Sequence, residues 1–529
     1  MTLNRKTMLR NKNFYSSARV ILICAFLFLI LAPWAVSTAV GGSPDEPNVL
    51  MSTWCGSHTA FPDRAMFRQI RENNLNAGKV KPATKYCKFD PHNYKHQIVP
   101  VLVAKPELCY LGAGQDYSAG CQSGLASETT SIFYEGMTTK TYVKFLRFFV
   151  GSDVEVSVVK MRLFNSFLAA VLVAVVVSLD RRRLADWFLG WLAVVTPVTT
   201  YFVSSVNTSS WTLTGTTCFV FAMLTALKNR GNPKVWIPAA VLGLVSVLVT
   251  NASRYEGKYV LLLLAAAILV AEFAPERVKL RKRTIIFAGS FLPIIFVVYR
   301  YFSNVYGRVN VFDDPRVDIN DGIVTTANNL LVNNLINLPR FLMGFFGGWG
   351  LGWFELEMTH IVWLFALQAF LLTTVFALRK SGATHKIVFA TLSALMCGAI
   401  LYANQQTFSK VGNVIQPRYF LPFFLGIVII AAANKKERYP QSLVVTVAIL
   451  STIANSIALR DTIRRYTTGQ DVFISKSLNN PREWWWNFGP QPETIWLTGT
   501  LAFAALYALL IYERRRREAV AQRDVVEGR

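Results

Sequence analysis

Stretches of apolar residues long enough to cross a lipid bilayer recur along most of the chain, and they restrict its fold more than any motif does. A spanning helix needs about 20 predominantly apolar residues to cross about 30 Å of hydrocarbon. Such stretches centre on residues 20–39, 163–178, 187–203, 211–227, 235–250, 259–274, 285–301, 361–378, 387–403, 419–433, 444–459 and 495–512. They predict an all-α polytopic transmembrane protein of about twelve spanning helices, since a helix satisfies its own backbone polar groups in lipid. Charged residues make up 16% of the chain, against roughly 25% in soluble proteins, too few for a water-facing surface. The first stretch is expected to stay on the protein: its apolar core is longer than a signal peptide's, and no A-x-A site closely follows it.

Lys and Arg number 55 against 31 Asp and Glu, a formal charge of +24. Spread evenly, that excess would suggest a nucleic-acid partner. It is instead clustered: Arg5, Lys6, Arg10 and Lys12; Arg181, Arg182 and Arg183; Lys228, Arg230 and Lys234; Arg277, Lys279, Arg281, Lys282 and Arg283. The clusters continue at Arg379, Lys380 and Lys386, at Lys435, Lys436 and Arg438, and at Arg514, Arg515, Arg516 and Arg517. Twelve spans put all of them on one side, as the positive-inside rule requires. Both termini are then cytoplasmic, and a multi-pass protein of a bacterial plasma membrane is expected, with membrane lipid and not nucleic acid around it. The resulting layout is a basic tail (1–18), a first span (19–40), an outer loop (41–142), a multi-span region (143–512) with outer loops near 302–360 and 460–493, and a second basic tail (513–529).

Cys55, Cys87, Cys109 and Cys121 fall in the first outer loop, whereas Cys24, Cys218 and Cys397 fall in spans. In an oxidising compartment the four loop cysteines predict two disulfides, in any of three connectivities. A structural zinc site would call for a C-x-x-C pair, which the loop lacks. The stapled loop is expected to lie over the membrane as short helices. Residues 341–354, apolar and rich in Gly and Trp, are too short to span and suit a re-entrant or interfacial helix.

Directly after the first span comes Gly41-Gly42-Ser43-Pro44-Asp45-Glu46-Pro47-Asn48. Pro, Asp and Gly also make an ordinary acidic turn. Adjacent side chains point apart, however, so the pair offers one carboxylate to a substrate and one to an orienting partner or a divalent ion such as Mg or Mn. Glycosyl transfer from a lipid phosphate needs a base for the acceptor hydroxyl while the anomeric carbon becomes cationic. The departing phosphate is a stable anion and needs only cations. Arg162, Arg254, Lys258 and Arg418 open spans on the outer face, against the charge trend, and so call for an anionic partner. Lipid headgroups are one such partner, and a donor phosphate held bidentately is the other.

Five stretches carry a resemblance: Pro44-Asp45-Glu46-Pro47; Met161-Arg162-Leu163; Thr196-Pro197 with Ser205-Val206-Asn207; Leu351-Gly352-Trp353-Phe354-Glu355; and Gln416-Pro417-Arg418-Tyr419-Phe420-Leu421-Pro422. In this order they resemble the domain-of-unknown-function-2142 family of predicted membrane proteins, and more distantly the GT-C glycosyltransferases. Val49 and Leu50 stand where that family usually has a His, Glu355 where it has Asp, and Pro417 where it has Gly. The resemblance implies a GT-C-like enzyme that uses a polyprenyl-phosphate sugar as co-substrate and a glycan, glycolipid or protein acceptor, with inversion at the anomeric carbon. Asp45 would be the base and Glu46 its orienting partner. Arg418, Arg254, Lys258 and Arg162 would hold the donor phosphate, and Glu355 would line the acceptor side.

The competing class is a flippase or exporter of a lipid-linked saccharide, which should carry charges within its spans as a path. The span interiors are almost free of charge, which favours outer-face chemistry. Asp90, His92 and His96 offer metal-ligand types, but Pro91 and Asn93 argue for a loop there. Trp484-Trp485-Trp486 reads as an interfacial aromatic belt. No P-loop and no G-x-S-x-G elbow is present.

Overall fold

The computed structural model describes residues 2–56, 84–90, 96–110, 118–133, 140–180, 184–273, 316–317, 324–325, 327–433, 437–469 and 477–526. Among these, eight helices are long and apolar enough to cross a membrane: Ala18–Val36, Val154–Leu179, Thr208–Lys228, Pro233–Ser253, His360–Arg379, Ala383–Gln406, Gln441–Thr468 and Pro492–Arg516. The polytopic all-α expectation therefore stands, and among the described residues three of the expected spans are shorter or broken helices. The stretch at 285–301 lies outside the described residues. The stretch at 259–274 is a 17-residue helix, Gly257–Phe273.

Two expected spans are interrupted, each at a proline. The stretch at 187–203 is two short helices, Leu184–Leu192 and Pro197–Val203. Pro197 opens the second, where its missing N–H costs nothing, and its ring keeps Thr196 extended. The Thr196 hydroxyl then caps the new helix by accepting from the Thr199 amide. The stretch at 419–433 begins as a 3-10 turn, Pro417–Tyr419, and only Leu421–Ala433 is α-helix. Thirteen residues reach about 20 Å, and every one is buried, so this helix belongs to the protein core and not to a lipid-facing wall.

The first helix, Thr2–Val36, packs against Val154–Leu179 and Pro492–Val526, and Pro492–Val526 also packs against Gln441–Thr468. Thr208–Lys228 is the central helix, 78% buried over its apolar window, against 22% for its neighbour Pro233–Ser253. The two approach closely at Gly215, where a Cβ would sit 2.2 Å from Thr250 Oγ1 and 2.7 Å from the Ser246 carbonyl. Small residues allow such close helix approach in membranes, where apolar surface alone gives no preference for protein over lipid. Pro233–Ser253 turns Ile237, Val241, Leu244 and Leu248 outward, the dress of a lipid-facing helix.

The outer loop departs from the expected set of short helices. It holds a short helix, Glu46–Cys55, and a three-stranded antiparallel sheet ordered β1 (Lys88–Phe89), β2 (His96–Pro100), β3 (Thr129–Phe133). Gln97 pairs with Ile132 in its register. Cys55 and Cys87 are disulfide-bonded and tie the short helix to β1. Cys121 is also disulfide-bonded, and the Cys109 side chain lies outside the described residues. Residues 341–354 form the end of helix Ala327–Met343, a 3-10 turn at Gly344–Phe346 and tight turns beyond it. Phe341, Phe345 and Phe346 are buried there, with Phe345 stacked on Phe424. The three tryptophans at 484–486, expected as an interfacial belt, are buried against the protein. Trp486 donates its indole N–H to the Val36 carbonyl and so caps the first helix.

Candidate functional site

Where the first helix ends, residues 37–45 turn back under the outer loop, and a buried arginine holds the turn. Arg162 donates Nε to Glu46 Oε1 at 3.0 Å and Nη2 to Glu46 Oε2 at 2.7 Å. Its remaining hydrogens go to the carbonyls of Thr38 at 2.6 Å, Ala39 at 2.7 Å and Ala35 at 3.3 Å. Side-chain exposure is 1% for Arg162 and 0% for Glu46. A guanidinium suits this task because its planar fork meets a carboxylate bidentately and still reaches the carbonyls left free at a helix end. Arg162, expected on the donor phosphate, is thus engaged on every nitrogen within the protein. Glu46, expected to orient Asp45 or share a metal ion, gives both oxygens to Arg162.

Asp45 has another environment. It caps helix Glu46–Cys55 with φ 64° and ψ −3°, in the left-handed region, which Asp tolerates better than most residues. Its side chain does not cap that helix. Asp45 Oδ2 instead accepts from Arg418 Nη2 at 2.7 Å, with the Asp45 side chain 30% exposed and that of Arg418 1% exposed. Arg418 also donates Nη1 to the Pro44 carbonyl at 3.2 Å and Nη2 to Tyr419 Oη at 3.2 Å. Its guanidinium lies between the rings of Phe202 and Tyr419, 5.4 and 5.0 Å from their centroids, an arrangement that supports a buried cation. The 3-10 turn carrying Arg418 is seated by Pro417 against Gly344, where a Cβ would fall 2.3 Å from the proline ring.

Each carbonyl of the turn from 40 to 44, Ser43 apart, receives a donor from a distant element. Tyr110 and Gln122 donate to Val40, Trp353 to Gly41, Tyr201 and Tyr466 to Gly42, and Asn207 and Arg418 to Pro44. Behind the turn lies Glu355, which sequence placed on an acceptor side. It is 8% exposed and 3.2 Å from Tyr466 Oη. Burial pushes its carboxyl above the ordinary range, against the lowering effect of its own amide, Arg465, Tyr466 and the Trp353 amide. Arg465, itself 1% exposed, donates Nη2 to the Tyr110 carbonyl. Sequence reading passed over Tyr110, Tyr201, Arg465 and Tyr466. Arg465 sits beside Arg464 in what reads as a solvated charge run, and no local signal marks the tyrosines. Asn207 stood in a motif without a task.

Arg254 lies on the far side of Tyr419, with its guanidinium 4.7 Å from that ring and its Nε donating to Thr208 Oγ1 at 3.1 Å. It lines a cavity of about 630 Å³, walled by Val260, Leu263, Leu395, Ala399, Phe420 and Phe423 among others. Lys258 stands over the ring of Tyr255 at 3.4 Å and outside that lining. Arg254, Tyr419, Arg418 and Asp45 thus form a continuous line from an apolar cavity to a partly exposed carboxylate. No group of three His, Cys, Asp or Glu side chains able to hold a metal occurs among the described residues. Asp90 accepts from Ser131, whose hydroxyl also meets His96 Nδ1, and His92 lies outside the described residues.

No curated protein and no solved structure matches the chain. A family model described as "Predicted membrane protein (DUF2142)" matches residues 144–427, a region that holds Arg162, Arg254, Glu355 and Arg418, and the chain belongs to that family.

Proposed function

We propose that the protein transfers a sugar from a polyprenyl-phosphate donor to an outer-face acceptor, with inversion, and that Asp45 is the general base. The observation that carries this reading is the Asp45–Arg418 pair at 2.7 Å, joined through Tyr419 to Arg254 at an apolar cavity. Asp45 is the acid of the motif that keeps access to solvent, and a base must reach its acceptor hydroxyl. The apolar walls suit an isoprenoid chain, and Arg254 stands where the phosphate of such a lipid would lie. Arg418 then links phosphate and base: it is a cation beside the departing anion and a fixed partner for the carboxylate. Glu46 takes the structural half of the motif, paired with Arg162.

A purified, reconstituted protein supplied with a polyprenyl-phosphate sugar tests the reading. Asp45→Asn should lower turnover by roughly 10²–10⁴-fold, the usual worth of a general base, with donor binding retained. Near-normal transfer by Asp45→Asn would remove Asp45 from the chemistry. A deletion strain that accumulates a complete lipid-linked saccharide, instead of lacking one glycosyl residue, would move the protein to the transporter class.

A further inference from the structure

Glu355 is the buried acid beside the Asp45 turn that this chemistry leaves without a task. Tyr466 Oη stands 3.2 Å from Glu355 Oε1 and 3.2 Å from the Gly42 carbonyl oxygen. A phenol has one hydrogen to donate, and a carbonyl can only accept. When Glu355 is ionised it too can only accept, so Tyr466 serves Glu355 or Gly42 but not both. When Glu355 carries a proton, it donates to Tyr466, and Tyr466 is free to donate to Gly42. We propose that Glu355 is a positioning residue that acts through Tyr466 on the Gly42 carbonyl, and that the turn presenting Asp45 is fully held only when Glu355 is protonated. The proposal rests on the reading of Asp45 as the base and assigns a controlling group to that site.

The surroundings of Glu355 agree with such a role. Arg465, Tyr466, Tyr201 and Tyr110 are the titratable groups facing it, together with the amides of Trp353 and of Glu355 itself. Burial raises the carboxyl more than Arg465 and those amides lower it. The engaged form is therefore present below the raised value and is lost as pH rises through it. Gly352, at φ +63°, lets the carboxylate fold back over the chain: a Cβ there would lie 2.4 Å from Glu355 Oε1. The relay is thus built by the Leu351–Leu356 turn on one side and the end of helix Gln441–Thr468 on the other.

The test compares pH profiles of sugar transfer at saturating donor for the wild type, Glu355→Gln, Glu355→Ala and Tyr466→Phe. Each variant is first checked for monodisperse elution in detergent. Gln keeps a donor for Tyr466, so Glu355→Gln should retain the rate and lose the alkaline limb of the profile. Glu355→Ala removes the competing acceptor, so it too should lose the alkaline limb, whereas Tyr466→Phe should lower the rate about five- to tenfold at every pH, the worth of one hydrogen bond. Infrared difference spectra of the protein without substrate give a second readout: a protonated-carboxyl band should titrate in the wild type and vanish in Glu355→Gln. An unchanged alkaline limb in Glu355→Gln, or no such band in the wild type, overturns the relay. A titrating band in a protein whose Asp45→Asn variant still transfers sugar leaves the relay standing and overturns the reading of Asp45.

Discussion

Replacing Arg162 with Met distinguishes a buried brace from a phosphate ligand. In the structure, Arg162 makes two charged hydrogen bonds to Glu46 and three to the carbonyls of Ala35, Thr38 and Ala39, with 1% of its side chain exposed. Met fills similar volume but leaves the Glu46 carboxylate buried with, among the described residues, the Ser43 amide at 3.3 Å as its remaining donor. Removing one partner of a buried ion pair costs about 3–5 kcal/mol, because the other charge stays uncompensated in a low dielectric. The folded-to-unfolded ratio should fall by roughly 10²–10³-fold or more, enough to lower the yield of a marginally stable protein. Adding Glu46→Leu removes the stranded charge, so the double variant should recover much of the loss. The assay is unfolding in detergent followed by tryptophan fluorescence, for the wild type, both single variants and the double. Wild-type stability of Arg162→Met, together with a weakened donor affinity, would refute the brace and return Arg162 to the phosphate.

Three further outcomes are expected. Arg418→Lys keeps the charge but loses the fork, so it should weaken donor use, and Arg418→Ala should weaken it by at least roughly tenfold; equal activity of all three at limiting donor would leave Arg418 a helix anchor. Gly215→Leu should prevent the close packing of Thr208–Lys228 on Pro233–Ser253, since even a Cβ meets Thr250 Oγ1 at 2.2 Å; a well-folded Leu variant in size-exclusion chromatography would contradict it. Cys55→Ser opens a loop closed across a sequence separation of 32 residues and should cost the outer domain about 3–4 kcal/mol by loop entropy, seen as faster proteolysis between residues 56 and 87.

What the sequence alone determined is what depends on the bilayer as a solvent. Length and apolarity of 20–39 or 361–378 decide that those residues leave water, whatever they later touch. A disulfide in the loop after the first helix was legible from its cysteines, and Cys55 and Cys87 form one. Asp45, Arg254 and Arg418 could be singled out because charge at a span end needs a reason, and the structure brings these three together through Tyr419. Their division of labour could not be read. Asp45 and Glu46 are neighbours in sequence with like charge, and only the backbone turn at φ 64° sends one to Arg418 and the other to Arg162. Apolar content also left the surroundings of each helix open. It cannot separate a helix facing lipid from one buried in protein, since both want the same side chains, and so the full burial of Leu421–Ala433 could not be read. The cluster of Glu355, Tyr466, Tyr201 and Arg465 was beyond sequence altogether. Glu355 and Tyr466 stand 111 positions apart in the chain, and such groups become one site only when packing removes water and forces each polar atom to find another.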